Sequence, residues 1–344
     1  MYNLIQEFKK RGTMALQVKI KSIGNYFPKN IVTSEALEKQ FKLSLGEIAR
    51  KNGVISRHWS DKETCIDIGK NALDNALKKA DLKIKDIDCI VWAAGTAAQL
   101  IPCTASLVAQ KYGAESAGIP CFDINATCLS SLFAVETLSY LVEAGKYRRV
   151  AIVCGEQPSL ALDKKNLITT TLFGDAGCAI ILEKGDNTET SRIIDSKFET
   201  FAEFSQLTRL KGGASILPGY QFNKENKSEY FFQMEGEKIY KYAAKNMPIF
   251  LKNLLLRNNL SLDDIKMVVP HQASLLSLKL MQKKLGIPEG KMFINIEKLG
   301  NTVAASIPLA LMEAIEKGLV ERGDKVLLLG TSAGLTLGAM IIEY

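Results

Sequence analysis

The chain has 344 residues, of which 47% are hydrophobic and 24% charged, with a mean hydropathy of +0.03. That is enough for one large or two ordinary domains with a sizeable core, and no apolar run reaches the roughly 20 residues of a membrane span. The net charge of +7, from 44 basic and 37 acidic residues, is too mild and dispersed for a nucleic-acid binder and suits an acidic protein partner or an anionic substrate.

Taken in order, residues 1–13 read as a tail without a signal-peptide core, and Met14 stands just before a first strand, Val18 to Ile23. Thr33 or Ser34 caps a helix through Leu37 and Phe41. A second helix covers Cys65 to Ala80, and a buried strand runs from Cys89 to Ala94 into a small-residue loop, Gly95 to Gln99. Pro102 opens a helix to Tyr112. A strand from Cys121 to Ile124 leads into Asn125-Ala126-Thr127-Cys128 and an apolar helix through Leu132, Val135, Leu138 and Leu141. Strand Val150 to Cys154 follows, then Phe173-Gly174-Asp175-Ala176-Gly177 and strand Cys178 to Leu182. Continuous apolar strands alternating with helices predict an α/β sheet covered on both faces.

The second half repeats the first. Leu82–Val91 matches Leu260–Val269 at an offset of 178, Val150–Cys154 matches Val326–Gly330 at 176, and Phe122–Ile124 matches Phe293–Asn295 at 171. Three ordered matches at nearly constant offset predict a duplicated pair of α/β halves, residues 14–185 and 186–344, with functional pieces where strands end. The polar stretch from about Gly185 to Glu237 repeats least and reads as an insertion of surface loops.

Cys128 is the first candidate for chemistry. A thiol at a helix N-terminus gains from the dipole and from free N–H groups, which stabilise a thiolate nucleophile; the plainer reading is a packed thiol. The second half offers partners. Val268-Val269-Pro270-His271 is a buried strand that stops at a proline and presents one of only two histidines. Asn301 stands at a turn into the helix after Gly300, where it is either a functional amide or an N-cap. Gly330-Thr331-Ser332-Ala333-Gly334-Leu335 links two strands, as a tight connection or as a backbone N–H aimed at an oxyanion. His58 reads as structural. The seven cysteines form no CxxC pair and no His-rich cluster, so neither a disulfide framework nor a metal site is expected, and a reducing cytoplasm fits best.

Together, Asp123–Leu132, Pro270-His271-Gln272-Ala273 and Gly300-Asn301-Thr302-x-Ala304-Ala305-Ser306 resemble the thiolase-like condensing enzymes, most closely β-ketoacyl-acyl-carrier-protein synthase III. The resemblance runs from Met14 to Tyr344 and implies the five-layered αβαβα thiolase fold. It implies an acyl-enzyme on Cys128, an oxyanion held by the N–H groups of Cys128 and Ala333, and enolate stabilisation by His271 and Asn301. It also implies acyl-CoA and acyl carrier protein as partners, no metal or redox cofactor, and a homodimer with Ile101 and Pro102 at the contact. Gly95, Ile101 and Thr331 would line the acyl pocket. Lys238, Lys241, Lys245, Lys279, Lys283 and Lys284 would dock the acidic carrier protein, unless they are simply solvated helix faces.

The chain departs from that family pattern at several positions. Glu47 and Leu167 occupy the places of a tryptophan–arginine clamp on the CoA adenine, with Arg57 and Trp59 offset and structural. Gly95 replaces a larger pocket residue, Thr331 an aromatic, Ser332-Ala333 a glycine pair, and Leu276 a docking arginine. These changes predict a primer longer than acetyl, or branched. An acyltransferase or head-to-head condensing enzyme would use the same Cys-His-Asn set, and a non-catalytic partner subunit would be expected to lack one of the three. A thiolase proper would need a second cysteine in Gly330–Gly338, where there is none. A hydroxymethylglutaryl synthase would need a catalytic glutamate, for which Glu63 is the candidate.

Overall fold

The structure, a computed structural model, describes residues 15–186 and 189–344; the expected tail and Met14 lie outside the described residues. Among the described residues the strands run in chain order as β1 (Val18–Tyr26), β2 (Ile31–Thr33), β3 (Ser56–His58), β4 (Cys89–Trp92), β5 (Cys121–Asp123), β6 (Arg149–Glu156), β7 (Ala176–Lys184), β8 (Arg192–Thr200), β9 (Thr208–Arg209), β10 (Gln233–Met234), β11 (Met267–Pro270), β12 (Lys325–Ser332) and β13 (Thr336–Glu343). One sheet has the order β1-β7-β6-β4-β5 and another β11-β12-β13-β8. Read from the antiparallel edge, the two sheets have the same order and sense. β4 pairs parallel with β6 as β11 does with β12, and the pairs β1–β7, β6–β7, β12–β13 and β13–β8 are antiparallel.

The register reproduces the sequence offsets. Ile90 faces Cys121 across β4 and β5. In the second half Val268, the counterpart of Ile90, faces Met292, the counterpart of Cys121, through a parallel bridge. Strand β8 corrects the expected insertion. Nine residues of that polar stretch form β8 and pair along β13 as the counterpart of β1. They are hard to read as a strand because β8 is a sheet edge and only part of it is buried.

Side-chain alternation builds the layers. In β6, Val150, Ile152 and Cys154 face one core, and Ala151 and Val153 the other. In β12, Val326 and Leu328 face that first core, and Leu327 and Leu329 a third. Helices Ser130–Glu143 and Ser306–Glu316 fill the core between the sheets. Both are mostly apolar because strands cover them on two sides. Helix Cys65–Ala80 covers the outer face of the first sheet, and helix Gly236–Arg257 that of the second. The result is a five-layered αβαβα arrangement. Helix Cys65–Ala80 starts with a capping box between Thr64 and Asp67. It lies so close to β1 that a Cβ on Gly24 would stand 2.2 Å from the Ala76 nitrogen.

Pro102 does not open the next helix. The helix is Thr104–Gln110, and the Asp123 carboxylate at the end of β5 accepts from the Thr104 and Ala105 N–H groups at 2.7 and 2.9 Å. A carboxylate from another strand therefore does the capping, where the first free N–H groups and the dipole favour it.

Candidate active site

Two turns, one from each half, meet at the ends of β6 and β12. In the first, the Asn125 side-chain oxygen accepts from the Thr127 N–H at 2.9 Å. Thr127 has a positive φ of 50°, uncommon for a β-branched residue. A single 3-10 turn, Thr127–Leu129, then presents Cys128 ahead of helix Ser130–Glu143. In the second, the Asn301 side-chain oxygen accepts from the Val303 N–H at 2.9 Å. Val303 also has a φ of 50°, and the 3-10 turn Val303–Ala305 precedes helix Ser306–Glu316. Asn125 corresponds to Asn301, Thr127 to Val303, Cys128 to Ala304 and Ser130 to Ser306, all at one constant offset in the sequence. The sequence contained this correspondence, but chemically different residues, Thr127 and Val303, hide it.

Asn301 is buried with its amide oxygen engaged by Val303. Its Nδ2 donates to no described residue, which leaves two N–H bonds for a ligand. Its backbone is bridged to Leu172–Gly174, which fixes the Phe173-Gly174-Asp175 motif beside it. His271 follows β11, and its N–H donates to the Leu329 carbonyl at 2.7 Å. Only glycine fits next to it on β12, because a Cβ on Gly330 would stand 2.8 Å from the His271 Cβ. The ring Nδ1 lies 2.6 Å from the Ser306 Oγ, and Nε2 has no partner among the described residues. Sequence reasoning missed Ser306; its signal was its place as the counterpart of Ser130 in the repeat.

The end of β12 closes the site over Cys128. The Ser332 hydroxyl donates to the Ala126 carbonyl. The backbone N–H groups of Cys128 and Ala333 both favour charge on the Cys128 sulfur. Cys128 packs, with Trp59 and Phe232, against an apolar cluster that includes Leu162, Leu172, Phe173 and Val303. Phe232 comes from the loop region 201–235 and meets Phe173 edge-on at 5.1 Å. These walls are built from distant segments and left no local signal.

Electrostatics correct the expectation of a thiolate at rest. Burial, and secondly the Glu156 carboxylate, push the Cys128 thiol up to about 12; the two N–H groups oppose this without winning. Burial holds the His271 imidazole down to about 4. At neutral pH the site therefore contains a thiol and a neutral imidazole.

The other sequence candidates separate. A Cβ on Gly95 would meet Val303 Cγ1 at 3.3 Å and Thr127 Cγ2 at 3.4 Å, so the space a larger residue would take is filled by those side chains and not left open. Ile101 is 84% exposed; its loop projects outward after the Gly95–Thr96 anchor. Thr331 lies in β12 opposite Leu337 and is half-buried. Lys238 and Lys241 are paired on their own helix with Glu235 and Glu237 at 2.5 and 2.6 Å. Lys245, Lys279, Lys283 and Lys284 form no ion pair with a described residue. Leu276 is exposed on the helix that carries the last three.

Glu47 pairs with Lys51 at 2.7 Å, and Leu167 starts a short helix, so neither forms a stacking clamp. Arg57 is buried and donates to Val32, Ser34 and Thr171. The Trp59 indole donates to the Phe173 carbonyl, with the Lys164 ammonium 3.5 Å above its ring. Glu63 is bonded to the Tyr26 hydroxyl. His58 is tied to the Pro28 carbonyl and stacked on Phe27. Among the described residues no cluster of His, Cys, Asp and Glu is arranged to hold a metal ion, and no helix is long and apolar enough to cross a membrane.

Two models of 3-oxoacyl-acyl-carrier-protein synthase III match the chain: one at residues 122–201 and one of its C-terminal part at 255–344. The chain is 32% identical to the β-ketoacyl-acyl-carrier-protein synthase III of Fusobacterium nucleatum, over 94% of this chain and 98% of that protein. It is likewise 32% identical to that of Clostridium acetobutylicum, over 95% and 98%. The crystal structure of the synthase III from Aquifex aeolicus superposes with a TM-score of 0.85 at 30% identity, covering 95% of this chain and all of that one. The chain belongs to the 3-oxoacyl-acyl-carrier-protein synthase III family of thiolase-like condensing enzymes.

Proposed function

We propose that this chain catalyses a decarboxylative Claisen condensation. The observation that carries the reading is Cys128 on a 3-10 turn ahead of a central helix, beside the turn of a buried asparagine and a buried histidine whose outer nitrogens have no partner among the described residues. Cys128 attacks an acyl thioester. Its S–H proton ends on the departing carrier thiol, and a new thioester forms on Sγ. The N–H groups of Cys128 and Ala333 hold the oxyanion as it appears.

A malonyl thioester then binds with its carbonyl oxygen toward Asn301 Nδ2 and His271 Nε2. We assign the Ser306 hydroxyl as the donor to Nδ1, which puts the ring proton on Nε2. Cleavage of the C–CO2 bond leaves its electron pair as an enolate, stabilised by these two neutral donors. The enolate carbon attacks the acyl carbonyl and expels the Cys128 sulfur, which takes a proton from solvent. Carbon dioxide and a β-ketoacyl thioester leave. Loss of CO2 drives the sequence, which as written calls on no metal or redox group.

The apolar cluster beside the thiol and the missing clamp at Glu47 and Leu167 favour a primer longer than acetyl. We assign the malonyl carrier as an acyl carrier protein docking on Lys279, Lys283 and Lys284, whose charges no carboxylate among the described residues neutralises. Leu100 and Ile101, 76% and 84% exposed, are apolar residues at a loop tip that a second copy would cover in a homodimer. Seven unpaired cysteines fit a reducing cytoplasm. Carbon dioxide release from a labelled malonyl thioester by acylated protein tests the reading. Acyl transfer without CO2 would point instead to a transferase with another acceptor.

A further inference from the structure

Glu156 ends β6, is fully buried, and takes no part in the steps above. Its carboxylate accepts four bonds: from the N–H groups of Gly95 at 2.6 Å, Thr96 at 3.0 Å and Ala304 at 3.2 Å, and from the Thr96 hydroxyl at 2.7 Å. Gly95 and Thr96 lie in the loop after β4 of the first half. Ala304 lies in the 3-10 turn that follows Asn301 in the second.

Glu156 and Ser332 occupy equivalent strand ends in the two halves, at the end of β6 and of β12. Ser332 grips the first-half turn through Ala126, and Glu156 grips the second-half turn through Ala304. In the repeat Ala304 is the counterpart of Cys128. Its N–H is taken up by a carboxylate, whereas that of Cys128 favours charge on its own sulfur. The Ala304 carbonyl is held as well, by the Ser131 hydroxyl at 3.0 Å. Burial pushes the Glu156 carboxyl above its usual range, against the pull of its donors. A neutral acid would set an O–H against groups that are mostly N–H donors, so the arrangement suits the anion.

We propose that Glu156 is the positioning residue of the condensation half-reaction: by holding Ala304 and the Gly95–Thr96 loop on one carboxylate, it fixes the Asn301 amide where the enolate forms. This rests on the condensing reading above. Acylation draws on the N–H groups of Cys128 and Ala333, which Glu156 does not touch, so the two half-reactions should respond differently. Glu156→Gln keeps the shape but turns an NH2 toward N–H donors. Misplacement of a catalytic group by about 1 Å costs on the order of 100-fold.

The test compares two rates on the full chain: single-turnover labelling of Cys128 by an acyl-CoA, followed by intact mass, and CO2 release from malonyl thioester by pre-acylated protein. Glu156→Gln is expected to slow CO2 release about 10- to 100-fold and not to slow labelling, because losing the carboxylate that holds the Cys128 thiol protonated favours the nucleophile. Glu156→Asp, which keeps the charge on a shorter arm, is expected to fall between, and it carries the comparison if the glutamine variant does not fold. Equal loss in both half-reactions, or no loss in either, would overturn the proposal. If the unmodified chain is not labelled on Cys128 at all, the condensing reading fails instead.

Discussion

The two turns at the centre of the molecule share a backbone and differ in chemistry. Each begins with an asparagine that caps its own turn, passes through a residue at φ 50°, and ends in one 3-10 turn ahead of a central helix. In the first, Cys128 follows the left-handed residue, so the turn presents a nucleophile. In the second, the corresponding residue is Ala304 and the asparagine is buried, so the turn presents an amide. On the proposed mechanism the same strained device serves both halves of one reaction, and what differs is which residue each turn carries. Strain of this kind is kept where the surroundings enforce it, here through Ser332 on one turn and Glu156 on the other.

The largest effect comes from erasing the difference. Cys128→Ala makes the first turn resemble the second and should abolish the acyl-enzyme and condensation. Unfolding stability should stay within about 1 kcal/mol, because little volume is lost and the backbone device remains. Asn301→Ala removes the donor of the second turn. CO2 release should fall about 100- to 1000-fold with labelling of Cys128 little changed; comparable loss of labelling would mean that the turns do not divide the reaction.

Ser306→Ala frees the His271 ring and should cost about 3- to 10-fold in CO2 release, the worth of one ordinary hydrogen bond. The same histidine predicts a pH effect. Its folded pKa of about 4 lies below the ordinary 6.5, so between those values the unfolded chain binds a proton that the folded one refuses. Stability should therefore be full above about pH 6.5 and fall by roughly 3 kcal/mol as pH drops to about 4, seen as a lower midpoint in denaturant titrations. His271→Gln should flatten that segment of the curve. The smallest effect is at the surface. Lys284→Glu should raise KM for a carrier-protein substrate a few-fold with kcat unchanged, whereas Lys241→Glu should do less, because Glu237 already neutralises Lys241.

Much of this was legible in the sequence. Strands covered on both faces are continuous apolar runs, and their recurrence at nearly constant offsets anticipated two sheets of one topology. Cys128, His271 and Asn301 stood out because each follows a buried strand or a small-residue turn. What escaped was set by tertiary contact. Strand β8 was obscured by its exposed face. Asp123 caps a helix that Pro102 was expected to start. Ser306 and Glu156 act on the candidate residues from other segments. The thiol was expected to ionise from its helix alone, but burial and Glu156, which only the packed structure brings near it, set the balance the other way.

The most direct test of the central claim is intact mass after incubation with acetyl- to decanoyl-CoA and the matching acyl carrier proteins, with Cys128→Ala alongside. The account predicts one acyl adduct on the unmodified chain, formed fastest with chains longer than acetyl, and none on the variant. An adduct that persists in Cys128→Ala, or no adduct from any donor, would contradict it.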